Sequence, residues 1–323
     1  MDKIKSLTGM LDLYDDGDNS LLPAKLFCLE EKIKHIFKSY KLNEIRTPVL
    51  EDANLFIRSV GGASDIVNKE IYSFNDRNDK GIALRPEGTA SVIRSIVEKK
   101  LDQSNHKLWY LGPMWRYERP QKGRYRQFNQ AGVEILGIPE GMPEFEMISI
   151  VCSIITEFNL ENCTIKINHL GNQKSKESFC NALIDFLEPH KKLLDEKDNQ
   201  RLEKNPLRVL DSKNTNTQEI LKNAPSIKEF LDSSSVNLLN SIKNEFSDIC
   251  DIEIDYTLVR GLDYYSGFVF EAVSSNLGAQ DSFLGGGRYD QLCAKRGGKN
   301  LPSIGIAIGL ERFAELIEVN NLP

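Results

Sequence analysis

Apolar side chains at Leu22, Leu26, Leu29, Ile33, Ile36 and Tyr40 recur on one helical face, with Lys25, Lys32, Lys34 and Lys38 on the other. The spacing predicts an amphipathic helix whose lysines form a solvated face. EIRTPVLEDANLF then reads as extended, because Pro48 disfavours the helical conformation at Thr47 and has no N–H for a central ladder. A sheet edge or an interface suits it. IYSFND and GIALRPEG alternate as a hairpin that turns over Asp76 to Gly81, and ASVIRSIVEKKL returns to helical spacing.

The stretch WRYERPQKGRYRQFNQAGVEILG, residues 115 to 137, has the form of another hairpin. From Gly171 to Asp251 the composition shifts to Lys, Asn, Asp and Ser, with helical spacing in SFCNALIDFL and IKEFLDSSSVNLLNSI, which predicts a helical insertion. Strands resume with IDYTLVR and YYSGFVFEAV, followed by a glycine turn at LGGGRYD. PSIGIAIGLERFAELI then predicts a strand running into a helix. Strands follow strands directly, so an α+β fold with an antiparallel sheet flanked by helices fits better than a doubly wound sheet.

If RQFNQAGVEILG is a strand, its period of two places Phe128, Gln130, Gly132 and Glu134 on one face and Asn129, Ala131, Val133 and Ile135 on the other. The second face is hydrocarbon. A bare glycine between two hydrogen-bonding side chains would let a flat ligand lie against the backbone, although a solvent-facing strand side explains this strand equally well. Arg116, at the end of the preceding arm, tips the balance, since a planar guanidinium beside such a floor suits a phosphate or carboxylate. In LVRGLDYYSGFVFE, Arg260 precedes two adjacent tyrosines, Tyr264 and Tyr265. On a strand these would point to opposite faces, one packing and one offering its hydroxyl. The three glycines of LGGGRYD lack dinucleotide or P-loop spacing and carry little weight alone. In GLERF, Arg312 falls near a helix start, where the dipole and the arginine could both face an anion; a surface salt bridge is the plainer alternative.

Bulk properties narrow the classes. The 323 residues, 40% hydrophobic and 27% charged, suffice for one large domain with an insertion. A net charge of −6 argues against a generally cationic nucleic-acid-binding surface. The packing of Arg116, Arg119, Lys122, Arg124 and Arg126 into one short stretch is therefore a local feature. Six scattered cysteines and four histidines show neither a disulfide framework nor a zinc spacing, so no metal held by protein side chains is expected and a cytoplasmic home is the simplest. The N-terminal stretch lacks a signal-type apolar core, and no run approaches the roughly 18 apolar residues of a membrane span.

Together these motifs resemble class II aminoacyl-tRNA synthetases, and among them the histidine–tRNA ligases, over nearly the whole chain. The likeness rests on the Pro48 segment as motif 1, on LRPEGT, on residues 115–137 as motif 2, on RGLDYY and GGGRYD as the two histidine-specific motifs, and on GIAIGLERF as motif 3. The resemblance implies a six-stranded antiparallel sheet, a homodimer built through motif 1, and a catalytic core in two parts, 1–170 and 252–323. These would flank a 171–251 insertion, and the family's C-terminal anticodon-binding domain is not expected within this chain. It also implies activation of L-histidine by ATP with Mg²⁺, then transfer to tRNA(His). On that resemblance Arg116 holds the α-phosphate, Arg260 stabilises charge developing on it, and Arg312 clamps the γ-phosphate. Glu87, Thr89 and Gln130, with Gly88 in the same motif, take the α-amino group. Glu134 and Tyr265, beside Tyr264, read the imidazole, and Arg119 and Gln121 face the tRNA acceptor end. The family's shorter relative, the non-catalytic regulatory subunit of ATP phosphoribosyltransferase, is the alternative.

Overall fold

The longest hairpin, whose second arm shows the period of two read in the sequence, anchors the sheet. In the computed structural model, which describes residues 3–14, 22–60, 70–121, 123–278 and 281–317, β5 (His106–Trp115) pairs antiparallel with β6 (Gln127–Leu136). The other strands are β1 (Asn43–Glu44), β2 (Leu50–Asp52), β3 (Ser73–Asn75), β4 (Gly81–Leu84), β7 (Cys163–His169), β8 (Asp251–Ile254), β9 (Phe268–Ser274), β10 (Ser282–Arg288) and β11 (Ser303–Gly309). The main sheet runs β1-β5-β6-β11-β10-β9-β7-β8. Its six inner strands are antiparallel, as the resemblance implies. At each edge a short strand joins in parallel, β1 on β5 and β8 on β7.

The first helix forms as its spacing predicts: α1 (Leu22–Ser39) buries Leu26, Leu29, Ile33 and Ile36. Past its end the Tyr40 hydroxyl joins Ser149 and Ser153 of α4 (Met142–Glu157), at 2.7 and 2.8 Å. These helices share one apolar core with the hydrocarbon face of β6, where Ala131, Val133 and Ile135 are fully buried, and α8 (Ser233–Phe246) packs on α4, β7 and β8. Pro48 does keep its neighbourhood extended, and β2 is an edge strand of a small sheet ordered β2-β4-β3. The extended reading fails at ANLF. There α2 (Ala53–Val60) begins, because the Asp52 carboxylate accepts the Asn54 N–H at 3.0 Å and caps the first turn. The β3–β4 hairpin turns over Asp76 to Gly81, where Asp76 accepts the amides of Asn78 and Lys80, and α3 (Thr89–Glu98) follows.

Between β7 and β8 lie α5 (Gln173–Leu187), α6 (Glu196–Lys204), α7 (Thr215–Leu221) and α8, with short 3-10 turns. Leu239, Ile242 and Phe246 of α8 pack in the core beneath the sheet. Phe179, Leu183, Leu207 and Ile227 pack on the opposite side, with Tyr264 and Tyr265. The short α9 (Leu292–Lys295) and α10 (Leu310–Ala314) complete the described elements.

Two local expectations of the last block change. LGGG forms part of β10, not a turn; the Arg260 guanidinium and the backbone and side chains of the flanking strands occupy the space its missing Cβ atoms leave. Tyr264 and Tyr265 precede β9 and do not lie on it. Gly267 at φ +68° bends the chain, and regular pairing with β7 starts only at Phe268.

Candidate active site

The face of β6 opposite the core carries the candidate site residues. Register sets it out in rows across the sheet, one running Leu108, Glu134, Gly305, Gly287, Val269 and the next Tyr110, Gly132, Ala307, Gly285, Glu271. Neighbours in a row share a face, so residues distant in sequence meet there. A cavity of about 410 Å³ opens above, lined by Glu87, Thr89, Arg116, Gln130, Arg260, Tyr264, Tyr265 and Arg312 among others. Eight of the twelve residues singled out from the sequence therefore converge on one space.

The remaining four lie elsewhere. Glu134 is completely buried beneath the cavity, accepting the Thr89 hydroxyl at 2.7 Å on one oxygen and the Tyr289 hydroxyl on the other. Burial pushes its carboxyl up to about 8, against the opposing pull of those two hydroxyls. Gly88 precedes α3 and lies against the Tyr110 ring. Arg119 and Gln121 are exposed in the loop between β5 and β6; Lys122, from the same basic cluster, lies outside the described residues.

The flat floor expected at Gly132 is not open to a ligand. The ring of Tyr110, directly across the ladder, lies on it, and a Cβ at Gly132 would collide with that ring. Gly285 similarly makes room for the Arg260 guanidinium, and Gly305 for the Glu134 carboxylate. The glycines thus seat functional side chains of this chain against the sheet. Tyr264 and Tyr265 do not point to opposite faces: their ring centroids stand 4.7 Å apart, and both line the cavity.

Two electrostatic neighbourhoods result. On one side Glu87, Glu134, Tyr110, Tyr264 and Tyr265 are buried together, and burial raises all five pKa values, each acid adding to the shift of the tyrosines. Glu87 accepts the Thr89 and Ala90 amides at 2.7 and 2.8 Å, which caps α3 and leaves lone pairs for a further donor. Buried Gln130 Oε1 has no partner and faces the same space. On the other side burial lowers the pKa values of Arg116, Arg124 and Arg312, and the positive charge of Arg116 lowers those of Arg124 and Arg312 further. Arg116 donates to the Pro86 carbonyl at 2.9 Å and stands over the Phe128 ring. Arg260 pairs with Glu271 at 2.5 Å, while its buried Nε is unpartnered. Arg312 reaches back to the Ser282 carbonyl at 2.9 Å from a helix of only five residues, so its side chain, not a helix dipole, supplies the positive charge.

Sequence reasoning missed Tyr110, Glu118, Glu271, Tyr289 and Glu311. Glu118 joins Arg116 and Arg124, and buried Glu311 accepts the Asn129 amide and side chain, which ties α10 to β6. Glu271 had a legible signal, as the lone charge within the apolar run FVFEAV.

Comparison with known proteins identifies the family. A family profile described as Histidyl-tRNA synthetase matches residues 24–313. The histidine–tRNA ligase of Francisella philomiragia is 45% identical over 309 residues, covering 94% of this chain and 73% of its own length. That of Microcystis aeruginosa is 46% identical, covering 94% and 72%. Among solved structures, apo S. aureus histidyl-tRNA synthetase superposes with a TM-score of 0.76 at 32% identity, over 99% of this chain and 76% of that one. A Bacillus halodurans ATP phosphoribosyltransferase regulatory subunit/histidyl-tRNA synthetase, at 20% identity and TM-score 0.69, shares the fold. A matching profile over most of the chain, a matching fold and relatives of this identity have one meaning: the chain belongs to the histidyl-tRNA synthetase family of ATP-dependent histidine–tRNA ligases.

Proposed function

We propose that this cavity activates L-histidine with ATP and transfers the histidyl group to tRNA(His). In the first step a carboxylate oxygen of histidine bonds to the α-phosphorus as the bond to pyrophosphate breaks. In the second the 3′-terminal hydroxyl of the tRNA takes the acyl group and AMP leaves. The carrying observation is the pairing, in one cavity, of a buried carboxylate–tyrosine neighbourhood with a cluster of three arginines. The first suits an ammonium and an imidazole; the second suits a triphosphate.

The roles follow from position. Glu87, Thr89 and Gln130 supply oxygen acceptors, which an α-ammonium needs for its three N–H groups. Thr89 now spends its hydroxyl on Glu134. Histidine entering the site would take that place, turning Thr89 to the ammonium and Glu134 to an imidazole N–H, with the Tyr265 hydroxyl toward the other ring nitrogen. Arg116 and Arg260 would hold the α-phosphate from two sides, and Arg312 the terminal phosphate.

No group of three metal-ligating side chains occurs among the described residues. Glu118 and Glu271 are held by arginines, and Glu311 by Asn129. The donor set fits Mg²⁺ carried by the phosphate oxygens of ATP, where it would offset charge on the leaving pyrophosphate. Exposed Val49, Leu50 and Ile57 around the Pro48 segment support a homodimer through this region. No described helix is long and apolar enough to cross a membrane, and we place the ligase in the cytoplasm. We place the two-part core and the 171–251 insertion at the boundaries read from the sequence.

The regulatory-subunit alternative is disfavoured because every position expected to touch ATP or histidine is filled. A stoichiometric burst of ATP consumption should appear when excess chain meets ATP, Mg²⁺ and L-histidine, and not with other amino acids. Absence of the burst from folded protein that binds ATP phosphoribosyltransferase would favour the regulator. Replacing exposed Arg119 and Gln121 with alanine should slow transfer to tRNA about tenfold or more while changing adenylate formation less than twofold, since such residues act on the tRNA alone. Equal losses in both steps would remove them from the tRNA contact.

A further inference from the structure

The segment that carries Arg260 and the two tyrosines, residues 255–267, contains no helix or strand, yet it must hold a guanidinium in place. Its inner side is fixed by that guanidinium itself, against Gly285 and Glu271. Its outer side is fixed by the insertion. Arg208 donates to the Arg260 carbonyl at 2.9 Å, Lys176 to the Tyr265 carbonyl at 3.2 Å, and Asn205 to the Asp263 carboxylate at 2.7 Å.

We infer that Arg208, with Asn205 and Lys176, forms a three-point brace by which the insertion positions Arg260 for adenylation. The inference rests on the ligase reading above. Three features support it. The contacts come from separate elements, α5 and the end of α6 with the 3-10 turn Pro206–Val209, so together they fix the segment in more than one direction. Two of them grip backbone carbonyls, so they set where the main chain runs whatever side chains it bears. The Arg208 guanidinium is largely buried and also lies against Gly261, next to the residue it positions. Leu207 and Val209, on either side of Arg208, are buried in the same apolar cluster as Tyr264 and Tyr265, so the brace has a rigid base. By linkage, whatever binds the insertion and shifts it also changes the placement of Arg260, and occupancy of the cavity biases the insertion in return.

The test is a double-mutant cycle in the full chain, read by histidine-dependent pyrophosphate exchange and by amide hydrogen exchange. Arg208→Ala should lower the exchange rate about tenfold with less than a threefold change in histidine affinity. Added to Arg260→Ala, it should cost less than twofold more, because the group it positions is gone. Arg208→Lys, which keeps a donor, should recover part of the loss. Additive losses in the double variant would overturn the inference, since a general structural role is indifferent to Arg260. Hydrogen exchange gives an answer that needs no turnover: the amides of Leu258 and Ser266, which bond the Asp255 and Arg288 carbonyls at the two ends of the braced stretch, should exchange at least tenfold faster in Arg208→Ala while β9 and β10 stay protected. Unchanged exchange there would equally overturn it, whereas a parent chain with no pyrophosphate exchange would count against the ligase reading alone.

Discussion

Replacing Arg260 with alanine is expected to lower histidine-dependent pyrophosphate exchange by about a hundredfold or more while changing histidine affinity far less. The guanidinium lies flat over Gly285, with one nitrogen on Glu271 at 2.5 Å and an unpartnered Nε in the cavity wall. Glu271 fixes its plane, so the remaining donors are already oriented toward an anion, and little rearrangement is needed as charge grows on the α-phosphate. Lysine should rescue only part of the loss, because a single ammonium cannot hold both Glu271 and a phosphate in the geometry of a planar fork. Steady-state exchange at varied histidine and ATP reads this directly. A rise only in the Michaelis constant for histidine, with turnover intact, would make Arg260 a ground-state contact.

Glu134→Ala should weaken histidine binding about 10- to 100-fold, equivalent to roughly 1–3 kcal/mol, and relax discrimination against other amino acids. Without the carboxylate, an imidazole N–H entering this buried pocket loses its acceptor, and the hydroxyls of Thr89 and Tyr289 lose theirs. The same residue predicts a pH effect on stability. The folded chain holds the Glu134 proton up to about pH 8, whereas an unburied glutamate releases it near 4.5. Between those values the native state binds more protons than the unfolded one, so stability falls as pH rises, by up to about 1.4 kcal/mol per unit. Glu134→Gln removes that dependence. It should therefore raise the melting temperature relative to the parent more at pH 8 than at pH 5. A parallel pH profile in the two proteins, or unchanged histidine affinity in Glu134→Ala, would contradict the assignment.

How much of this could be read from the chain differs by element, and the differences have physical causes. Period-two alternation in β6 showed which face was hydrocarbon and which carried Gln130 and Glu134, because residue type alternates along the strand even though both faces are buried from Gln130 onward. The same rule failed at Tyr264 and Tyr265, since a bend at Gly267 with positive φ starts the ladder later than the apolar run suggests. Gly132 reads as open space in the sequence, but Tyr110 fills it, and Gly285 and Gly305 likewise make room for Arg260 and Glu134. Which side chain covers a glycine depends on register across strands far apart in sequence, and no local window contains that information. Tyr289 was missed for the same reason, because its importance lies in its partner Glu134 on another strand, whereas Glu118 was missed although its partners Arg116 and Arg124 lie in its own loop. The arginines were legible because cations drawn into an otherwise acidic chain must be placed by something other than bulk charge.

The central claim is that this one cavity joins histidine to the α-phosphate of ATP. Exchange of labelled pyrophosphate into ATP by the 323-residue chain tests it most directly, because it requires adenylate formation and its reversal and nothing beyond them. The predicted result is robust exchange with Mg²⁺ that depends on L-histidine and is not supported by other amino acids. No histidine-dependent exchange from protein that melts cooperatively and binds ATP would contradict the account.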